Sequence, residues 1–255
     1  MIGIIYFIVV ILANTLGAVS GMGGGVLIKP IFDFIGVDSV LAISFYSSVA
    51  VFTMSLVSTM HQLKQNILLD GKKITGLSMG ALIGGIFGNQ TLFSLIRQLP
   101  NEKDVQLIQI GLTILSLFFA LVYSNEQHQR FSFTYLGMYI ICGIVLGFLA
   151  SLLGIGGGPI NVSLLMLLFS MSIKQATVYS IATIFFSQSA KLLTMGLTTG
   201  FGSYDLTRLW FIVPAAIIGG ILGAKLSKIL PSERVSQIFK LMILLVILIN
   251  LYNGM

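Results

Sequence analysis

Gly21-Met22-Gly23-Gly24-Gly25 interrupts an apolar run that begins at Ile2, and 133 positions later Gly154-Ile155-Gly156-Gly157-Gly158-Pro159 interrupts another. Inside a bilayer such a break frees backbone N–H and C=O groups that must find partners in protein or in a polar cavity. Glycine at four of five positions in the first cluster lets the chain turn through φ > 0 and approach a ligand closely, because no Cβ intervenes. Each cluster is followed by a restarted helix, so the first free N–H groups and the positive end of the dipole point into the break, a geometry suited to an anion. Packing alone calls for small residues four apart, not three in a row. The clusters therefore read as the broken helices of a transporter.

Composition sets the medium. Of 255 residues, 56% are hydrophobic and 9% charged, with a mean hydropathy of +1.01, which describes an all-α integral membrane protein rather than a soluble domain. No stretch between apolar runs is long enough for a soluble catalytic domain. The N-terminus lacks the basic start and small-residue cleavage pattern of a signal peptide and reads as a retained first helix. The single cysteine, Cys142, cannot form an internal disulfide. A net charge of +6 could suggest nucleic acid, but the basic residues sit in short loops beside helices, where they set membrane orientation. The partners expected are the lipid bilayer and a small anionic solute, with no nucleic acid; homo-oligomerisation is left open.

Most of the chain reads as one unit written twice, residues 1–125 and 131–255, joined at 124–130. Long apolar helices over 2–20 and 133–153 lead into the breaks, and short helices follow over 26–34 and 160–169. At roughly 1.5 Å per residue the short ones cannot cross a ~30 Å core upright. Next come hydroxyl-rich helices carrying Tyr46-Ser47 and Tyr179-Ser180, again 133 apart. Third helices open at Asp70 and Asp205, which can cap them, and end at the turns Leu99-Pro100 and Leu230-Pro231. Fourth helices run over 105–123 and 235–251. The expected architecture is about eight transmembrane helices plus two short broken or re-entrant ones, in two homologous repeats.

Gly76, Gly80, Gly84 and Gly88, matched by Ala215, Gly219, Gly223 and Ser227, form stripes for a neighbouring helix. The Ser and Thr side chains can bond back to their own helix carbonyls or line a solute path. The basic stretches 61–73 and 225–240 both belong in the cytoplasm by the positive-inside rule, which favours inverted halves. The shortness of the segments after the breaks favours parallel ones.

Candidate substrate contacts are Gly23, Gly24, Gly25, Gly156, Gly157 and Gly158 at the breaks, with Tyr46, Ser47, Tyr179, Ser180 and Gln188 on the hydroxyl-rich helices. Lys29 lies one turn past the first break and one turn before Asp33, as a local ion pair or as a cation for an anionic substrate. Lys191 is the deepest basic residue by position and the preferred charge partner. Asn14 and Asn161 flank the breaks. His61 and His128 lack partners at metal-ligand spacing, so neither a metal nor any other cofactor is expected. The enzyme alternative is an intramembrane hydrolase pairing Ser20 with His61; a non-transporting scaffold is the other.

The twin Gly-x-Gly-Gly-Gly clusters, the Tyr-Ser pairs, the Asp-initiated third helices, the glycine runs at Gly84 to Gly88 and Gly219 to Gly223, and the Leu-Pro turns together resemble the TauE/SafE (sulfite exporter) family over nearly the whole chain. The resemblance implies a secondary transporter of the inner or plasma membrane, not an enzyme, carrying small sulfur-containing or organic anions such as sulfite or sulfonates. Val26 stands where the family pattern has a proline just after the first cluster, and Pro30 follows. No nucleotide-binding motif is present, so the proton gradient is the expected drive.

Overall fold

A computed structural model describes residues 2–64, 70–123 and 131–254. The joint at 124–130, with His128, lies outside them. Among the described residues ten α-helices follow one another: α1 Ile2–Ser20, α2 Gly25–Ile35, α3 Val40–Lys64, α4 Gly71–Gln98, α5 Glu102–Tyr123, α6 Leu136–Leu152, α7 Pro159–Phe169, α8 Ile173–Thr198, α9 Leu209–Ile229 and α10 Ser232–Asn253. Two 3-10 turns, Phe201–Ser203 and Leu206–Arg208, precede α9. Among the described residues there is no strand, only an isolated bridge between Ser132 and Phe169. Six helical stretches among the described residues are long and apolar enough to cross a membrane: α1, α3, α4, α5, α10, and α9 with its preceding turn.

Local chemistry sets the boundaries. The Asp70 carboxylate accepts from the N–H groups of Lys72 and Lys73 at the start of α4, and Asp205 accepts from that of Thr207, each satisfying donors that a helix start leaves free. The Thr207 hydroxyl and then its N–H hold the Asp205 carboxyl below its usual range. Ser172 and Gln175 form a capping box on α8. Gly36, left-handed at φ 68°, ends α2. Leu99 and Leu230 are extended ahead of their prolines. The helix expected from residue 133 starts instead at Leu136, because Phe131 and Phe133 give their N–H groups to the carbonyls of Leu167 and Leu168.

The short helices fold back along the long ones. Tyr6, near the start of α1, stacks on Phe32, near the end of α2, with ring centroids 3.8 Å apart. Tyr139 of α6 stacks on Phe169 of α7 at 4.3 Å. Each glycine cluster is thus the tip of a hairpin whose two ends lie together.

The glycine stripes choose distant partners. A Cβ on Gly80 would sit 2.1 Å from the Ile140 carbonyl oxygen, on Gly84 2.1 Å from that of Ile144, and on Gly88 2.3 Å from that of Phe148. The α4 stripe therefore lies against the backbone of α6. On α9, Gly219 meets Ile11 and Asn14, and Gly223 meets Thr15 and Ala18, so α9 lies against α1. Tyr46 donates to the Asp205 carbonyl at 3.2 Å, and the Tyr179 oxygen accepts from the Asp70 N–H at 2.7 Å. These bonds tie the starts of α3 and α8 to the starts of α9 and α4.

A candidate anion site where the two breaks cross

The two breaks share one backbone geometry. Gly21 and Gly23 have φ of 75° and 78°, and Gly154 and Gly156 have 69° and 67°. These left-handed values strain any residue with a Cβ. Gly23 gives its N–H to the Gly17 carbonyl, and Gly156 gives its own to that of Ala150, both at 3.3 Å. The tips cross in the protein interior: a Cβ on Gly25 would stand 2.0 Å from the Ile155 carbonyl oxygen and 2.8 Å from the Ser47 hydroxyl, and one on Gly157 3.1 Å from the Met22 carbonyl oxygen. The free N–H groups of the first turns of α2 and α7 face the crossing.

Two buried lysines converge beside the second tip. The Lys191 ammonium donates to the Ser44 hydroxyl at 2.7 Å, and the side chain is fully enclosed by protein. A Cβ on Gly154 would be 2.8 Å from that same Ser44 oxygen and 3.3 Å from Cε of Lys29. Lys29 donates to Asp33 at 2.7 Å, with both side chains at most 4% exposed. The ion pair expected between them is present.

The hydroxyls divide into two groups. Ser48, Ser55, Thr183, Ser187, Ser189 and Thr194 donate to carbonyls of their own helices, as Ser and Thr commonly do. Others reach across. Ser180 donates to the Gly21 carbonyl at 2.6 Å and Thr177 to the Ser20 carbonyl at 3.4 Å, rejoining backbone that the first break frees. Ser47 has no partner among the described residues, and the same holds for the Asn14 and Asn161 oxygens and for both ends of the Gln188 amide. A buried polar group without a partner costs about 1–3 kcal/mol, so these groups are set for something that brings its own.

The structure thus gathers Gly23, Gly24, Gly25, Gly156, Gly157, Gly158, Lys29, Ser47, Ser180 and Lys191 at or beside the crossing. It holds Tyr46 and Tyr179 apart, each at a helix start. Ser44 and Asn89 were not among the expected contacts. Asn89 has no partner at either end of its amide and lies one turn past Gly85, which faces Ser187 and Ala190 of α8. An asparagine inside an apolar run was the signal available. The Ser20 hydroxyl donates to the Leu16 carbonyl at 2.8 Å within its own helix, and no hydrogen bond joins it to His61 among the described residues.

A multi-pass helical membrane protein whose broken helices meet around enclosed ammonium groups is, by class, a membrane transporter. The family described as Sulfite exporter TauE/SafE matches residues 6–250, and the chain belongs to it. It is similar to the probable membrane transporter protein YunE of Bacillus subtilis (strain 168), 24% identical over 98% of both chains. It is also similar to the probable membrane transporter protein MJ0441 of Methanocaldococcus jannaschii, 26% identical over 84% of this chain and 79% of the relative. A shorter likeness, 30% over 39% of this chain and 16% of the relative, links it to the probable membrane transporter protein MamO of Magnetospirillum gryphiswaldense. No solved structure matches the chain.

Proposed function

We propose that the chain is a secondary carrier of small oxyanions, sulfur-containing or organic, in the cell membrane, and that it binds them where the two hairpin tips cross. The Lys191 ammonium carries this reading. It is fully enclosed, its hydrogen bond goes to a neutral hydroxyl, and no carboxylate pairs with it among the described residues. An enclosed ammonium without a counter-charge is costly, and an anion on the Ser44 and Gly154 side relieves that cost. The N–H groups left free at the starts of α2 and α7, with the Ser47 hydroxyl and the Gln188 amide nitrogen, supply fixed donors that replace part of the anion's hydration.

The halves 1–125 and 131–255 are read as inverted repeats. The hairpins α1–α2 and α6–α7 return to the face they start from, leaving α3, α4 and α5 as crossings in one half and α8, α9 and α10 in the other. Three is odd, so the second half begins on the opposite face. The start of α1 shares its face with the starts of α3 and α9, through the Arg208–Asp38 pair and the Tyr46–Asp205 bond. That face carries Arg97, Lys103 and Arg208. The other carries Lys72, Lys73, Lys174, Lys225, Lys228 and Arg234, and the positive-inside rule makes it cytoplasmic. Rocking one repeat against the other around the crossing then gives alternating access.

Uptake of labelled sulfite into proteoliposomes tests the carrier, with sulfonates, sulfate and small carboxylates as competitors and with and without an imposed pH gradient. Saturable, selectively competed flux is expected. Folded protein that moves none of these anions rejects the reading.

A further inference from the structure

We propose that Asp33 is the group that carries the coupling proton, and that it does so by competing with the substrate anion for Lys29; this rests on the carrier reading above. A cavity of about 10 Å³ lies beside the first hairpin, lined by Lys29, Asp33, Gln109, Thr113, Leu153, Ile155 and Asn250, with Pro30 and Ile110 completing the wall. It has room for about one water molecule. One Asp33 oxygen takes the Lys29 ammonium at 2.7 Å. The other is enclosed without a partner, as is the side-chain oxygen of Gln109, whose amide nitrogen is committed to the Leu152 carbonyl at 2.8 Å.

Asp33 and Gln109 line one small cavity, and each has an enclosed oxygen without a partner. A proton on Asp33 supplies a donor: the carboxylate becomes a carboxylic acid, and its O–H is then available to the Gln109 oxygen, directly or through one water. Protonation also removes the charge that holds Lys29. With that bond weakened, the ammonium is free to turn about its own stem toward Gly154, where its Cε already lies 3.3 Å from the position of a Cβ and where Lys191 is bound to Ser44. An anion bound there faces two ammonium groups when Asp33 is protonated and one when it is ionised. Proton and anion therefore bind together and cross together, one proton for each anion.

Among the described residues no other carboxylate lines the cavity. On its own helix Asp33 faces Lys29. From α1 comes Tyr6, committed to Asp38, which in turn pairs with Arg208. From α10 comes Tyr252, packed on Phe34, with Asn250 at the cavity. From α3, Tyr46 is bonded to the Asp205 backbone, and from α8, Lys191 stands beyond Ser44. From α5 come only the Gln109 amide and the Thr113 hydroxyl.

The test uses purified protein in liposomes with sulfite as the probe. Infrared difference spectra of the wild type should show a carboxylic acid band that grows as pH falls, and grows again when sulfite is added at constant pH; Asp33→Asn should lack it. The same variant should still exchange external labelled sulfite for internal unlabelled sulfite, while an imposed pH gradient no longer drives net accumulation. A carboxylic band indifferent to sulfite, or one that survives in Asp33→Asn, overturns the assignment. So does gradient-driven accumulation by the variant. If wild-type protein moves no sulfite at all, the carrier reading has failed for that anion; if it moves sulfite and Asp33→Asn couples as before, only this inference has.

Discussion

The ammonium of Lys191 on α8 donates to the hydroxyl of Ser44 on α3 at 2.7 Å, joining the hydroxyl-rich helices of the two halves beside the second hairpin tip. The bond is made entirely inside protein. Substituting Lys191→Met keeps the bulk and removes the charge. Loss of a hydrogen bond involving a charged group is worth about 1.5–3 kcal/mol, so KM for sulfite should rise by roughly ten- to a hundredfold, with the detergent-solubilised protein still monodisperse. Unchanged kinetics would take Lys191 out of the site.

Orientation is open to direct labelling. In a Cys142→Ala background, cysteines placed at Lys72 or Lys228 should react with an impermeant maleimide only when it reaches the cytoplasmic face. Cysteines at Arg97 or Lys103 should react only from outside. Labelling of the Lys72 and Lys228 positions from opposite sides would exclude inverted halves.

Gly84→Ala should lower stability by about 1–3 kcal/mol, because its Cβ meets the Ile144 carbonyl oxygen and neither backbone can yield. Gly111→Ala, on α5 with nothing within 4 Å of the added carbon, should leave stability unchanged or raise it by up to about 1 kcal/mol. Thermal unfolding in one detergent compares the two. Equal losses would mean that the α4–α6 contact is not what holds the stripe.

Tyr179→Phe removes the acceptor from the Asp70 N–H and should cost about 1 kcal/mol with little change in KM. A large rise in KM at constant stability would instead return Tyr179 to the list of substrate contacts.

Much of this architecture could be read from the residues. The 133-residue register, the two glycine breaks, the aspartate caps and the Leu-Pro stops are local signals, and local chemistry fixes them. The path of the chain was less accessible. Whether a short helix after a break continues across or turns back depends on contacts such as Tyr6 with Phe32, which no periodicity encodes. That one ambiguity changes the parity of crossings, so the sequence left parallel and inverted halves both open. The glycine stripes announced a close neighbour without naming it. Tyr46 and Tyr179 share a register, and each makes a hydrogen bond that joins two helix starts. The sequence pairs Asp33 with Lys29; the surroundings of its second oxygen emerge only once Gln109, from a helix more than seventy residues away in sequence, is brought to the same cavity.

The exchange of packing partners, α9 on α1 and α4 on α6, also bears on how the protein is made. As the chain leaves the ribosome, α1 emerges well before α9, whose glycine stripe covers it. The α1–α2 hairpin, with its polar tip, must therefore be sheltered by lipid, by the insertion machinery or by temporary neighbours until α9 is made. Neither half can finish its own interior, and a chain cut at the joint would have to reassemble as two fragments before either could work.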